Sequence, residues 1–339
     1  MDNLNINGRV AVGILFQLVL FFVPIGIVDG QEKTFDVGQG PTFHLAISPS
    51  SEIVAIDGND FRGGGHLIIL FDITKEKKVG EFRYDPRNGA AFGGLAFSRD
   101  GKSLMAYGGE RPGTIKYWDI QSGKVTKTLE APGQGIAMTE RWFVTRDFPE
   151  CKTVKVLDLE TWNQFAVLKD FPSKVEKAAI SPDGKHLATY EYNGPVKVFE
   201  LPSTKRLHTF DYPKYSLRRM MFLQNEPTLA VLSPGLALYD LKSGKMEPGA
   251  GFFPANAISP NGKMMAYQGE VDQPNDKDEK RFPKGLHILS NQKKKIIASF
   301  NVDPNWRPRQ TQFTPDNRKL VAVGNGGIVR VWDVSKLQP

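Results

Sequence analysis

The sequence predicts an all-β protein in which seven repeats of four antiparallel strands close into a ring. One phrase with a Trp-Asp-like ending recurs through the chain, and a second phrase with a Ser-Pro-Asp-Gly-like turn recurs upstream of it. The turn serines Ser98 and Ser181 are 83 residues apart, and Ser181 and Ser259 are 78 residues apart, each pair spanning two repeats. A repeat is therefore about 40 residues long, the period of four-stranded units arranged around an axis.

The third strand of each repeat is predicted by alternating apolar residues, as in TIKYW from Thr114 to Trp118. Alternation with a period of two indicates a strand with one buried face. The phrases are LFDI (70–73), YWDI (117–120), VLDL (156–159), VFEL (198–201), LYDL (238–241), LHIL (286–289) and VWDV (331–334). We expect the large residue in each phrase, such as Trp118 or Trp332, to pack against the adjoining repeat, and the acid after it to begin a turn.

The first and second strands are predicted by the turn between them. The turn phrases are SPS (48–50), SRDG (98–101), SPDG (181–184), SPNG (259–262) and TPDN (314–317). Pro fixes φ early in such a turn and Gly or Asn accepts a positive φ later, which favours a tight hairpin. An SGK-type turn after the third strand leads into the fourth strand. Repeats three and five lack the Ser-Pro-Asp-Gly signature.

The two ends of the repeat array are expected to meet. The last repeat ends at VRVWDVSKLQP after three strands, and QEKTFDV (31–37) precedes the first repeat without a partner of its own. A lone four-stranded sheet cannot cover both of its faces, whereas seven sheets in a closed ring cover one another and protect their edges. We therefore predict that residues 31–37 form the outer strand of the seventh repeat.

These motifs resemble the WD-repeat β-propeller family through the YWDI and VWDV endings, the SGK turns and the SPDG turns. The resemblance covers residues 31–339 and is to a divergent type, because only two of the seven repeats keep Trp-Asp. The N-terminal segment and the single cysteine favour a secreted bacterial type. The resemblance implies one seven-bladed β-propeller domain over 31–339. It implies little about activity, since one fold hosts many unrelated functions.

Residues 1–30 differ from the repeats. An apolar run from Val10 to Val28 precedes Asp29 and Gly30, which predicts a secretory signal peptide cleaved near Gly30. The alternative is an uncleaved membrane anchor formed by residues 10–28. The chain has one cysteine, Cys151, which cannot pair within the chain. An exported bacterial protein, periplasmic or secreted, fits both features best.

Composition and motifs exclude several classes of function. The formal charge of +7 is spread over 339 residues without a basic arm, so a nucleic-acid partner is not expected. The five histidines are scattered without metal-ligand spacing, no nucleophile elbow occurs, and the acidic tract 270–284 lacks the glycine of a calcium loop. The sequence therefore predicts no catalytic residue, no metal ligand and no cofactor.

The central channel of the ring is expected to carry few carboxylates. The residues near the starts of the first strands are Phe43, Gly94, Gly135, Lys177, Arg219, Asn256 and Gln310. A propeller hydrolase or lactonase-like enzyme with a metal in the channel would need several acids or histidines at these positions. This enzyme is the alternative hypothesis, and stoichiometric calcium or zinc in the purified protein would favour it.

A non-catalytic interaction scaffold outside the cytoplasm is the preferred hypothesis. The loops that join successive repeats are rich in aromatic, Pro and Arg residues, and three loops between second and third strands add Arg62, Arg111 and Arg146. Aromatic residues and Arg dominate binding hot spots. The predicted contacts for a protein or peptide partner are Tyr84, Arg87, Arg111, Arg146, Phe171, Tyr212, Tyr215, Trp306 and Arg307. The alternative is that these Pro and Arg residues serve only the connections themselves. The partner, the biological process and the oligomeric state are left open by the sequence.

Overall fold

Seven four-stranded antiparallel sheets make up the part of the chain that the computed structural model describes. The described residues are 32–37, 42–59, 66–84, 92–108, 113–211, 217–224, 226–232, 236–248, 255–272, 281–303, 305–306 and 308–339. These residues form 28 strands and one short 3-10 turn at Asn325–Gly327.

The first four sheets, blades one to four, follow one another along the chain. Blade one holds β2 (Thr42–Ile47), β3 (Ile53–Asn59), β4 (His66–Asp72) and β5 (Lys77–Tyr84). Blade two holds β6 (Phe92–Phe97), β7 (Ser103–Gly108), β8 (Thr114–Asp119) and β9 (Val125–Glu130). Blade three holds β10 (Gln134–Met138), β11 (Trp142–Arg146), β12 (Val154–Asp158) and β13 (Gln164–Leu168). Blade four holds β14 (Val175–Ile180), β15 (His186–Glu191), β16 (Val196–Glu200) and β17 (Arg206–Phe210).

The last three sheets complete the ring. Blade five holds β18 (Arg219–Phe222), β19 (Thr228–Leu232), β20 (Leu236–Asp240) and β21 (Met246–Pro248). Blade six holds β22 (Ala255–Ile258), β23 (Met264–Asp272), β24 (Arg281–Ser290) and β25 (Lys295–Phe300). Blade seven holds β26 (Pro308–Phe313), β27 (Lys319–Gly324), β28 (Ile328–Asp333) and, from the other end of the chain, β1 (Glu32–Asp36).

The blades are arranged as a seven-bladed β-propeller, which confirms the predicted fold class. The inner strands follow one another around the centre, with β2 against β6, β6 against β10, β10 against β14 and β14 against β18. Contacts of β22 with β19 and β26, and of β26 with β2, complete the circle. Within a blade, one connection joins the second strand to the third, and another leads from the fourth strand to the first strand of the next blade. Because the four strands are antiparallel neighbours, these two connections lie at the same edge of the ring. We call that edge of the ring the loop face, and the opposite edge the turn face.

The N-terminal strand closes the ring, as the sequence predicts. β1 pairs antiparallel with β28, with Glu32 opposite Trp332 and Asp36 opposite Ile328. An ion pair of 2.7 Å joins Arg330 Nη1 to Glu32 Oε1. The Phe35 ring lies 4.5 Å from the Phe71 ring of blade one, so the closing strand also packs against the next blade.

Seven clusters of buried apolar residues lie in the described part of the chain, one at each blade interface. The aromatic residue near the end of a third strand faces an aromatic ring of the preceding outer strand. The ring centroids are 5.8 Å apart for Trp118 and Phe82, 4.1 Å for Tyr239 and Phe210, and 5.9 Å for Trp332 and Phe300. The predicted packing against the adjoining repeat is confirmed for these residues.

Side-chain hydrogen bonds explain the Ser-Pro-Asp-Gly phrase. Ser181 Oγ donates to Asp183 Oδ1 at 2.6 Å and accepts the His186 backbone N–H at 2.9 Å. Ser98 makes the equivalent bonds to Asp100 and Ser103. Blade three, which lacks the phrase, keeps one of these bonds, because Thr139 Oγ1 accepts the Trp142 backbone N–H at 3.0 Å. The hydroxyl at the start of the phrase therefore fixes the inner hairpin.

The acid after the third strand holds the next turn. Asp240 Oδ1 accepts the backbone N–H groups of Lys242 and Ser243, at 2.7 and 2.8 Å. These bonds lower the pKa of Asp240, and bonds from Ser122 and Ser335 lower the pKa of Asp119 and Asp333 in the same way. The acid therefore holds the turn even in a blade such as blade five, where Tyr239 and not Trp precedes it.

The structure describes the single cysteine but not the N-terminal segment. The signal peptide or anchor of residues 1–30 lies outside the described residues and stays a prediction. Within the described residues, no helix has the length and apolar character needed to cross a membrane. Cys151 is a free, buried thiol whose Sγ lies 3.5 Å from the Pro149 carbonyl oxygen.

Deletion of residues 32–37 should destabilise the ring, because it removes the β1 ladder and the Phe35 contact and exposes the edge of β28. We expect the free energy of unfolding, measured by urea denaturation, to fall by about 3 kcal/mol or more. The control is Lys33→Ala, which removes only an exposed ion pair with Glu76 and should cost less than about 0.5 kcal/mol. A deletion variant as stable as the intact chain would contradict closure by β1.

Acid should destabilise the protein through the turn aspartates. Their folded-state pKa values are lowered, so their contribution is complete above the ordinary Asp pKa of about 3.9 and is lost as pH falls through the folded values. We expect the urea midpoint to decline below about pH 4. Asp240→Asn, which removes one titrating group and keeps an acceptor oxygen, should make that decline shallower. An identical slope in the variant would show that Asp240 does not contribute.

Candidate functional site at the loop face and channel

Three aromatic residues predicted to contact a partner are buried. Tyr84, Phe171 and Trp306 keep 0%, 5% and 4% of their surface exposed. The expectation that these side chains form an exposed cluster is therefore wrong. They fill gaps between blades, so little of each ring is available to a partner.

The three buried rings share one arrangement with the following blade. Each ring lies between two side chains from the third strand of the following blade. One is a cation, and the other is the aromatic residue two positions after that cation. Trp306 is 4.7 Å from the Arg330 guanidinium carbon and 6.2 Å from the Trp332 ring. The corresponding pairs are Lys197 with Phe199 around Phe171, and Lys116 with Trp118 around Tyr84. A cation over an aromatic face is attractive, most of all when water is excluded.

The remaining predicted contact residues divide into two groups. Arg146 is described, and its guanidinium is engaged: Nε and Nη2 donate to Gln134 Oε1 at 3.0 and 2.9 Å, and Nη1 donates to the Val175 carbonyl of blade four. It therefore ties blades three and four together. Five predicted residues lie outside the described residues, namely Arg87, Arg111, Tyr212, Tyr215 and Arg307.

Exposed aromatic side chains occur elsewhere on the loop face. Phe148 is 48% exposed and Tyr192 is 59% exposed. They lie in the second-to-third connections of the adjacent blades three and four. The Tyr192 backbone N–H donates to the Lys174 carbonyl at 2.8 Å, which anchors its turn to the incoming loop. Sequence reasoning missed both residues because it considered only arginines in the connections between second and third strands, and looked for aromatics in the connections between blades.

A cavity of about 900 Å³ occupies the centre of the ring. Its wall is formed by the inner strands, and six of them shift register near the loop face, for example between Val175 and Lys177 and between Pro308 and Gln310. A bulge redirects side chains locally. Of the residues expected near the channel, Gly94, Lys177, Arg219, Asn256 and Gln310 line it.

Positive charge gathers on the wall formed by blades four and five. Lys177 of β14, Arg218 and Arg219 all line the channel. Desolvation by the surrounding protein lowers the pKa of Arg219, although its side chain remains in contact with the channel. No hydrogen bond or ion pair joins any of these three side chains to another described residue.

The wall formed by blades two and three is built around Tyr107. Its ring covers the backbone of glycines on two neighbouring inner strands. A Cβ atom at Gly93 would lie 2.2 Å from Tyr107 Cε2, and one at Gly135 would lie 2.5 Å from it. Burial raises the pKa of Tyr107 to about 12, so its hydroxyl stays protonated at neutral pH. Glycine is thus needed here for close approach of the ring.

His208 and His287 are hydrogen-bonded to neighbouring groups of the fold. His208 Nε2 lies 2.7 Å from the Leu241 carbonyl oxygen, and His287 bonds to Ser299 Oγ and to the Gly269 carbonyl. His44 lines the channel, with Nδ1 3.0 Å from the buried carboxylate of Asp57. Among the described residues, no group of three His, Cys, Asp or Glu side chains could hold a metal ion.

Comparison of the chain with models of known protein families and with curated protein sequences gives no match.

Substitution of the buried loop aromatics should reduce stability. Trp306→Ala and Phe171→Ala each leave a cavity between blades and remove a cation contact, so each should lower the free energy of unfolding by about 3–5 kcal/mol in urea denaturation. Tyr192→Ala, at an exposed aromatic of the same face, should change it by less than about 0.5 kcal/mol. Equal stability of the wild type and the Trp306 variant would return Trp306 to the candidate contact surface.

Proposed function

We propose that the protein is a non-catalytic binding module that presents the loop face of its propeller to a protein or peptide partner outside the cytoplasm. The observation that carries the proposal is the pair of exposed aromatic side chains, Phe148 and Tyr192, on adjacent blades of one face. Large aromatic residues dominate binding hot spots, and exposed ones that share a face suggest a contact surface.

The frame beneath these residues supports a binding role. Tyr192 lies in a short turn whose backbone is hydrogen-bonded to Lys174, and the Phe148 connection is held where the Thr153 backbone N–H donates to Asp147 Oδ1 at 2.7 Å. Side chains on fixed turns lose little conformational entropy on binding, which leaves more of the contact energy for affinity.

The character of the channel favours binding over metal-dependent hydrolysis. Lys177, Arg218 and Arg219 line it, and unpaired cations repel a metal ion. The proposed placement among divergent, exported WD-repeat propellers rests on the YWDI and VWDV phrases and on the apolar run of residues 10–28.

The test replaces both exposed aromatics. Immobilised Phe148→Ser/Tyr192→Ser protein should capture its partner from an envelope extract of the native cells at least tenfold less well than the wild type, with an unchanged melting temperature. The matched control is Val79→Ser/Val125→Ser, since these exposed residues lie on the outer strands of blades one and two. Equal capture by the wild type and the aromatic variant, or no specific capture by the wild type, would contradict the proposal.

A further inference from the structure

The loop-face half of the channel gathers positive charge that the described residues do not neutralise. Three cations elsewhere in the blades have acidic partners: Lys197 pairs with Glu191, Arg330 with Glu32 and Arg141 with Asp158. The channel cations Lys177, Arg218 and Arg219 have no such partner among the described residues. Lys177 is half-buried, and Arg218 and Arg219 are exposed to the channel, so these three groups present unpaired positive charge that an anion entering the channel can reach.

Little negative charge faces this part of the channel: the Asp57 carboxylate is buried behind His44, whose Nδ1 lies 3.0 Å from it. Glu140 is the one acid among the described residues that line the cavity, and it belongs to the turn-face end, as does Arg99. Glu176, beside Lys177 on β14, is exposed and does not line the cavity. One sign of charge within low-dielectric walls concentrates the electric field and raises the local concentration of the opposite ion.

The chemistry of the wall suits a compact, multiply charged ligand. Arginine offers a planar fork of N–H donors that matches carboxylate and phosphate oxygens, and lysine adds a point charge. Asn256 and Gln310 also line the cavity. Gln310 Oε1 already accepts the Leu45 backbone N–H at 2.9 Å, which leaves its amide nitrogen as a donor for a ligand.

The size of the cavity favours a small molecule. A volume of about 900 Å³ lies within the range of pockets that hold small organic ligands, about 300–1,000 Å³. Tyr107 lines the blade two wall, across the ring from blades five and six. Its protonated hydroxyl is a further donor, and its ring is a flat apolar surface.

We propose that the loop-face half of the channel binds a small organic anion with two or more negative charges, of the phosphate ester or polycarboxylate class, through Lys177, Arg218 and Arg219. This site is separate from the exposed aromatic pair of the proposed protein contact. The two proposals therefore stand or fall independently.

The test is isothermal titration calorimetry of the full chain with pyrophosphate and, separately, with citrate. Sodium chloride keeps the ionic strength constant. We expect saturable binding of at least one probe with one site per chain, and the better probe distinguishes phosphate from carboxylate chemistry. Arg219→Gln and Lys177→Gln should each weaken binding at least tenfold, whereas Lys177→Arg, which keeps the charge, should retain most of it.

The matched control is Arg206→Gln, which makes the same charge change at an exposed position on the outer strand of blade four. It should leave the affinity unchanged, as should Phe148→Ser/Tyr192→Ser. Melting temperatures equal to that of the wild type would show that the channel variants are folded. Loss of affinity in Arg206→Gln as large as in Arg219→Gln would overturn the proposal. So would the absence of saturable binding of both probes, or binding of poly-glutamate without binding of either small anion.

Discussion

The packing of the large residue near the end of each third strand, aromatic in most blades, against the preceding blade is the interaction on which the rest of the structure depends. A single blade leaves both faces of its sheet without cover. Trp118 against Phe82, Tyr239 against Phe210 and Trp332 against Phe300 cover those faces with apolar surface from the neighbour. Because each blade needs a neighbour on both sides, the ring must close. The first strand of the chain is therefore committed to the last blade.

This packing decides which loop residues remain available for function. Tyr84, Phe171 and Trp306 lie where the chain passes between blades, and the adjoining third strand offers each ring a cation and an aromatic residue. Burial there stabilises the interface more than exposure at the surface would. Phe148 and Tyr192 lie in connections between two strands of the same blade, and 48% and 59% of their surface stays exposed. Whether an aromatic side chain is exposed thus depends on whether its connection joins two blades or two strands of one blade, and not on which aromatic residue it is.

The regular parts of the fold could be predicted from the sequence because their causes are local. Alternation around Trp118, the hydroxyl of Ser181 and the acid at Asp240 each determine a strand or a turn within a few residues. The burial of Trp306 could not be predicted in this way, since Arg330 and Trp332 lie more than twenty residues further along the chain. A signal was nonetheless present: a cation stands two positions before the aromatic in TIKYW, VKVFE and VRVWD. The sequence places Lys177 and Arg219 near the channel, whereas the structure adds Arg218 and shows that the three side chains have no acidic partner among the described residues.

The channel cations are tolerated because the stability of the ring comes from elsewhere. Like charges on neighbouring strands repel one another, and the exposure of Arg218 and Arg219 to the channel keeps that cost small. The seven apolar clusters lie between the blades, and only their innermost members, such as Ile47 and Met220, also line the channel. A fold that packs its core around the axis, and not on it, leaves the axis free to hold unpaired charge. Because the inner strands fix the backbone positions of these residues, binding of an anion has to order only their side chains.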